Sequence, residues 1–383
     1  MTTPLPVLRA PLQPSAAADD RPFSIALQYA RDVKNVLQAQ VALRWKRVYL
    51  PSLFGHYSVN SACNLRCSYC YVGQPEIFPE GFAQRGLPLD RARRVLRNLR
   101  HECVALRIQG GEPLIYRPIA ELVRYARREL RFWNVSLITN GLALARSPDR
   151  WRGLLDDLHL LTISLDRTRL REYPAQMEEL TAFLPALARM ARERRCTLTL
   201  NYTAPWDELA EPEGIAAAIQ PYLRWFSNVY VMPVRQAGKT PLPLLKNSVR
   251  LNRRYSWTPA SFPDYPEVEH VQWYRDHCDP KLKIKVDPDG GVVYPCENHS
   301  YSAGSLEHGS IRELWTGQAV TYPNESCIGC GKQRFRSHAV RHPFGSAGVF
   351  RVLTGGGHRG AFPAAAPAQP CAADRPGKPV TIA

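Results

Sequence analysis

A chain of 383 residues with 45% apolar side chains can bury a substantial core and reads as one main domain with a smaller one beside it. Its formal charge of +16 comes from 50 basic residues, 9 of them lysine, scattered rather than gathered into runs and with no RNA- or DNA-binding module; the pattern points away from nucleic acid and toward an anionic substrate or an anionic membrane surface. Residues 1–20 hold no apolar core after a basic start and no run of 18 apolar residues occurs, so neither a signal peptide nor a membrane span is expected, and the cytoplasm, where free thiols persist, is the expected compartment.

Residues 1–53 divide into two parts. Residues 1–22, rich in Pro, Ala and Asp without periodicity, are expected to be disordered. From Ser24 to Arg47, Ile25, Tyr29, Val33, Val36, Leu37 and Leu43 recur at helical spacing among Arg31, Lys34, Arg44, Lys46 and Arg47, with Trp45 near the end. A basic amphipathic helix of this kind can lie on an anionic bilayer, which would make residues 24–47 a peripheral membrane contact. The plainer expectation, and the favoured one, is that its apolar stripe packs on the domain that follows.

Over residues 54–238 strand and helix patterns alternate. Strands are predicted at His56–Ser61, Val104–Gln109, Val135–Thr139, Leu160–Leu165, Thr197–Tyr202 and Val229–Val234, with helices at Asp90–His101, Ile119–Leu130, Glu172–Arg194 and Pro212–Phe226. The strands read as short, nearly continuous apolar runs, the pattern of a parallel sheet covered by helices. Six such units predict an α/β fold, an open, partial (β/α)6 barrel rather than a closed eightfold one. Residues 239–275, with Pro241, Pro243, Pro259, Pro263 and Pro266, read as an irregular connection that helps cover the barrel mouth. Residues 276–337 are expected to form a small C-terminal domain, a β-hairpin plus a helix, followed by a tail at 338–383 rich in Pro, Ala and Gly.

After the first predicted strand comes Cys63-Asn64-Leu65-Arg66-Cys67-Ser68-Tyr69-Cys70, three cysteines spaced CxxxCxxC. A [4Fe–4S] cluster wants one thiolate per iron, so three close cysteines satisfy three irons and leave the fourth open to a small molecule. A zinc knuckle is the alternative, but a structural zinc site takes four N or S ligands, and the nearest upstream histidine, His56, sits seven residues before Cys63. The spacing favours iron–sulfur. Cys103 and Cys196, at the starts of two strands, read as small buried apolar residues, and Cys371 in the tail is given no chemistry.

The motifs gather at the C-terminal ends of strands, where parallel barrels keep their functional residues. The cysteine loop follows the first strand, Gly110-Gly111-Glu112-Pro113 the second and Asn140-Gly141 the third, while Ser164-Leu165-Asp166 closes the fourth. With Tyr69 standing before the last cysteine, the arrangement resembles the radical S-adenosylmethionine (radical SAM) superfamily. The resemblance implies that Cys63, Cys67 and Cys70 hold a catalytic [4Fe–4S] cluster, that S-adenosylmethionine chelates the open iron, and that its reductive cleavage yields a 5'-deoxyadenosyl radical. It also implies that Glu112 meets the methionine amino group, with Gly110 and Gly111 letting the backbone approach the ligand, that Ser164 and Asp166 meet the ribose hydroxyls, and that Tyr69 lies near the adenine. Asn140 is a further cofactor candidate by its place after the third strand. Asn201, on the fifth strand, is either a ribose contact or a satisfied polar group of the barrel. A flavodoxin- or ferredoxin-type electron donor is the implied redox partner.

Farther on, Asp289-Gly290 between Leu282–Val286 and Val292–Tyr294 predicts a hairpin that draws Cys278 and Cys296 toward one end, and a helix candidate at Ile311–Thr316 precedes Cys327-Ile328-Gly329-Cys330. This segment resembles the SPASM and twitch extensions of radical SAM enzymes, the shorter twitch type more closely, because no cysteine follows Cys330 until Cys371. The resemblance implies that Cys278, Cys296, Cys327 and Cys330 hold a second, auxiliary [4Fe–4S] cluster. A zinc ribbon is the alternative, although ribbons use two CxxC knuckles. Four ligands leave no open iron, so the second cluster would transfer electrons or brace the fold. The expected function is hydrogen abstraction from a small-molecule substrate, followed by oxidation with the auxiliary cluster as electron acceptor. Peptide maturation or crosslinking is the alternative activity, and a membrane-associated iron–sulfur protein is the alternative of another kind.

Overall fold

A computed structural model describes residues 24–45, 54–74, 80–205, 208, 212–234, 264–268, 270–273, 283–296 and 299–311. The segment 1–22, most of 239–275, the helix expected after Ile311 and the tail lie outside the described residues. Six strands, β1 (Phe54–Ser58), β2 (Ala105–Gln109), β3 (Asn134–Thr139), β4 (Leu160–Ser164), β5 (Thr197–Ala204) and β6 (Asn228–Pro233), pair in parallel in chain order. The sheet continues past both ends of this series. β7 (His270–Trp273), from the segment read as an irregular connection, adds in parallel to β6. β8 (Lys283–Val286) adds in parallel to β1 and then carries the antiparallel strands β9 (Gly291–Cys296) and β10 (His299–Ser305), so the predicted hairpin is joined to the barrel sheet itself.

The connections are helical, as their amphipathic patterns require. They include α2 (Leu89–Arg100), α3 (Ile119–Arg124), α4 (Leu142–Arg146), α5 (Pro148–Trp151), α6 (Arg167–Glu172), α7 (Pro174–Glu193) and α8 (Pro212–Ile219). The single helix predicted at Glu172–Arg194 is instead two, α6 and α7, broken at Tyr173, where φ is −135° and ψ is 56°. Pro174 explains the restart: it lacks an N–H and fits the first helical turn, and the residue before a proline is steered away from helical geometry.

The strands are not the uniformly apolar runs that the sequence pattern suggests. Register divides them into two faces. On one, Tyr57, Leu106, Ile108, Val135, Leu137, Leu161, Ile163, Leu198, Leu200, Val229 and Val231 are buried in the core under the helices. Gly55 belongs to this face, and a Cβ there would come within 2.5 Å of Leu99 of α2. The other face carries His56, Ser58, Arg107, Ser136, Thr162, Ser164, Thr199, Asn201, Tyr230 and Lys285. This second face is concave. The Arg107 guanidinium of β2 lies 5.9 Å from the Tyr230 ring of β6, whereas a flat sheet would hold strands four places apart at about 19 Å. The sheet is thus an open, partly rolled parallel α/β barrel with a polar interior.

The N-terminal helix, α1 (Ile25–Trp45), forms where expected but docks by the opposite face. Gln28, Asp32 and Asn35 are buried, while Leu27, Tyr29, Val33 and Leu37 are exposed. The cause is Arg100 at the end of α2. Its guanidinium is 1% exposed and donates to both Asp32 oxygens, at 2.6 and 2.5 Å, and to the carbonyls of Leu130, Cys103 and Arg131. Gln28 Nε2 adds bonds to Asp32 Oδ1 and to the Arg100 carbonyl. A buried arginine needs a carboxylate, and the helix turns to deliver one.

Candidate functional site

The cysteine loop sits above β1 and is held by backbone. Gly111 N donates to Asn60 O, Glu112 N to Ala62 O, and Ser61 N and Ala62 N both donate to Gln84 O. A Cβ on Gly110 would meet Asn60 Oδ1 at 2.4 Å, and one on Gly111 would meet Ser61 O at 2.1 Å. The two glycines are therefore needed where one loop of the protein lies against another. Below them, Glu112 is buried and already met by three donors: Leu114 N at 3.0 Å, Thr139 Oγ1 at 2.7 Å and Asn140 N at 2.7 Å. Burial pushes its pKa up while these bonds pull it back. Asn140 in turn donates from Nδ2 to Asn64 Oδ1 inside the cysteine loop and accepts from Leu142 N. Glu112 and Asn140 thus tie the ends of β2 and β3 to the loop between Cys63 and Cys67.

The other side of the loop is held by the start of the helices after β4. Arg66 N donates to Tyr173 Oη at 2.7 Å and Ser68 N to Glu172 Oε2 at 3.1 Å. The Tyr69 hydroxyl donates to Asp166 Oδ2 at 2.6 Å, and Asp166 Oδ1 caps α6 by accepting from Arg169 N. Burial raises the pKa of Asp166. Arg169 sits between them, its guanidinium carbon 5.8 Å from the Tyr69 ring and its Nη1 3.6 Å from Asp166 Oδ2. Desolvation works against its charge, but Tyr69, Asp166 and Cys67 outweigh it and hold the pKa above the ordinary arginine value. Sequence reasoning missed Arg169, Glu172 and Tyr173. The available signal was their place within one short turn after Asp166, and the Tyr173-Pro174 step that breaks the helix there.

Of the remaining sequence candidates, Ser164 and Asn201 are registered neighbours on the polar face, and Asn201 Nδ2 donates to Thr203 Oγ1 at 3.3 Å. Cys103 and Cys196 are buried, as expected of packing residues. Cys296 ends β9. Cys278, Cys327, Cys330 and Cys371 lie outside the described residues. A cavity of 370 Å³ opens beside the cysteine loop, lined in part by Ser68, Tyr69, Gln74, Thr168 and Glu208.

Three thiols on one loop are the right chemistry for an iron–sulfur cluster, although among the described residues no three His, Cys, Asp or Glu side chains are drawn together around a single ion position. Cys63, Cys67 and Cys70 are free, half-buried thiols on one loop. Burial pushes Cys63 up to about 11, with Cys67 and Cys70 close enough to add to the effect, and burial raises Cys70 as well. With the pKa raised, the thiols of Cys63 and Cys70 hold their protons until a metal displaces them. Beside them Arg169 keeps two buried N–H donors, Nε and Nη1, without a hydrogen-bond partner, and Asn60 Oδ1 is a buried acceptor in the same condition. Buried donors that make no hydrogen bond, beside a three-thiol loop, suit an anionic cluster or the carboxylate of an amino-acid ligand.

The open parallel barrel thus carries a three-cysteine loop above its first strand. Residues 57–169 match the family model described as "Radical SAM superfamily". Among curated proteins, the GTP 3',8-cyclase of Cronobacter sakazakii is 35% identical over 123 residues, covering 31% of this chain and 35% of that protein. The GTP 3',8-cyclase of Klebsiella pneumoniae (strain 342) is 31% identical over 121 residues, again 31% of this chain and 35% of the relative. The match thus spans about a third of these relatives' length. Among solved structures, Streptococcus suis SuiB bound to the precursor peptide SuiA is similar in fold, with a TM-score of 0.50 and 15% identity over 77% of this chain and 71% of that one.

Proposed function

We propose that this chain is a radical SAM enzyme that takes a polar, anionic small molecule into the barrel and abstracts a hydrogen atom from it. The observation that carries the reading is the basic row beneath the cysteine loop: Lys285 of β8, His56 of β1 and Arg107 of β2 stand in register on the polar face, about 4.8 Å from strand to strand. Lys285 is 5% exposed, with Asp287 Oδ1 3.6 Å from its Nζ and the Tyr71 ring centroid 5.2 Å away. Three basic residue types side by side give this face of the barrel a positive lining, which favours an anionic ligand. A substrate carboxylate or phosphate would suit it. GTP, the substrate that the curated relatives' name prints, is one molecule of that class.

Within this reading Cys63, Cys67 and Cys70 hold the [4Fe–4S] cluster, which with S-adenosylmethionine supplies a hydrogen-abstracting radical. Arg169 anchors an anionic ligand group, Tyr69 and Asp166 fix the wall beside it, and Glu112 and Asn140 keep the cysteine loop in place. The finer reading is oxidation of the substrate, with Cys278, Cys296, Cys327 and Cys330 as the ligands of a second [4Fe–4S] cluster suited to accepting an electron.

The test is anaerobic reconstitution, reduction, and measurement of 5'-deoxyadenosine with deuterated candidate substrates. Deuterium transfer from an anionic small molecule is expected, with Arg107→Met and Lys285→Met raising its KM while leaving substrate-free S-adenosylmethionine cleavage near the parental rate. Turnover of a neutral peptide, or unchanged KM in both variants, would sink the substrate assignment. Parental cleavage by a Cys63→Ala/Cys67→Ala/Cys70→Ala variant would sink the enzyme assignment.

A further inference from the structure

The N-terminal helix is mounted on the barrel with its apolar side outward. Four of the five large apolar side chains left exposed among the described residues are on it: Leu27 (63%), Tyr29 (43%), Val33 (54%) and Leu37 (55%). Ala26, Ala30, Val33 and Leu37, at i, i+4, i+7 and i+11, form a continuous outward stripe, with Leu27 and Lys34 in the adjoining row. The rotation is fixed from below by the bidentate Arg100–Asp32 pair and by Gln28, and Asn35 Nδ2 adds a 3.4 Å bond to the His101 carbonyl. The apolar stripe is therefore presented, not left over from a loose packing.

Charge selects the occupant. The one carboxylate of the helix, Asp32, is buried against Arg100, so the outward side between residues 24 and 37 carries Lys34 and no acid, with exposed Arg31 at its edge, where Nη1 lies 2.8 Å from His101 Nδ1. The rest of the helix sequence adds Arg44 and Trp45, with Lys46 and Arg47 directly following. Two copies of a chain of formal charge +16 would repel each other on approach through such a face. No helix among the described residues is long and apolar enough to cross a membrane, so any lipid contact through this element is made from the surface.

We propose that α1 docks the enzyme on an anionic phospholipid bilayer, lying in the interface with Leu27, Val33 and Leu37 among the acyl chains and Arg31 and Lys34 at the headgroups. The test is flotation of the full chain with vesicles of phosphatidylcholine, with and without phosphatidylglycerol. The intact protein is expected to float with the anionic vesicles and to be released in molar salt. A Leu27→Ser/Val33→Ser/Leu37→Ser variant should bind them about tenfold more weakly or worse, and Arg31→Gln/Lys34→Gln about fivefold more weakly for each charge removed. Leu27, Val33 and Leu37 are exposed, so the melting temperature and 5'-deoxyadenosine formation of the triple variant should stay parental, which separates this docking role from the catalytic reading. Failure of the intact protein to float, or flotation unchanged by the triple variant, overturns the proposal. So does a concentration-dependent dimer that the triple variant dissolves, because a second copy would then be the occupant.

Discussion

Replacing Glu112 by Gln distinguishes a residue that touches the ligand from one that builds the platform. The carboxylate takes Leu114 N and Thr139 Oγ1 on one oxygen and Asn140 N on the other. Either orientation of a carboxamide sets its NH2 against a backbone N–H, turning one hydrogen bond into a buried donor–donor contact that costs about 1–3 kcal/mol. Part of this is offset, because the neutral amide escapes the desolvation that raises the Glu112 pKa. The net expectation is a loss of about 1–2 kcal/mol, or roughly 2–8 °C in melting temperature for a domain of this size. The displaced Asn140 should also slacken its bond to Asn64 and lower the iron retained after reconstitution. Calorimetry and iron analysis on the same preparations give both numbers. A variant that melts and holds iron like the parent, yet binds S-adenosylmethionine more weakly, would refute the platform role and make Glu112 a ligand contact.

Two further outcomes follow from buried charge. Arg100→Met leaves the buried Asp32 carboxyl without its cation; in urea titrations it should cost about 3–5 kcal/mol, and Arg100→Met/Asp32→Leu should recover most of the loss. His159 is held down to about 4 by burial, with Arg127 adding to the effect, and its Nδ1 accepts from Val135 N at 3.0 Å. Its folded pKa lies below the unfolded value near 6.5, so between these pH values the unfolded chain binds the extra proton. Stability should therefore be intact above about pH 6.5 and fall by up to about 3 kcal/mol as pH drops toward 4. His159→Asn should flatten that slope in pH-dependent denaturation.

The strands and motif loops were legible because their signals are local. Short β-prone runs mark β1 to β6 to within a few residues, and a three-cysteine loop followed by Gly110-Gly111-Glu112 at the next strand end is readable without coordinates. Three features were not. The docking face of α1 depends on Arg100, 68 residues from Asp32, and nothing near either residue shows that this arginine is buried. The loop contact that needs Gly110 and Gly111 depends on residues 60–62, about 50 positions away in sequence. The polar sheet face was hidden because Ser, Thr and Asn among β-branched neighbours still read as strand. By contrast, the break at Tyr173-Pro174 was available from the sequence and was overlooked.

The alternation along the strands has an evolutionary consequence. Each strand spells two messages in interleaved letters, one that packs the core and one that lines the polar interior. Exchanges at positions 56, 107, 136, 162, 199, 230 and 285 change the polar interior without entering the helix-packed layer, so the lining can vary in single steps wherever the buried hydrogen bonds it makes, such as Ser136 Oγ to Leu106 O, are kept. A one-residue insertion within any of these strands does the reverse. It would drive Lys285, His56 or Arg107 into the hydrocarbon layer and Tyr57 or Ile108 into the polar interior, scrambling both messages together. Diversity in such a protein should therefore accumulate by substitution inside the strands and by length change only in the loops that join them.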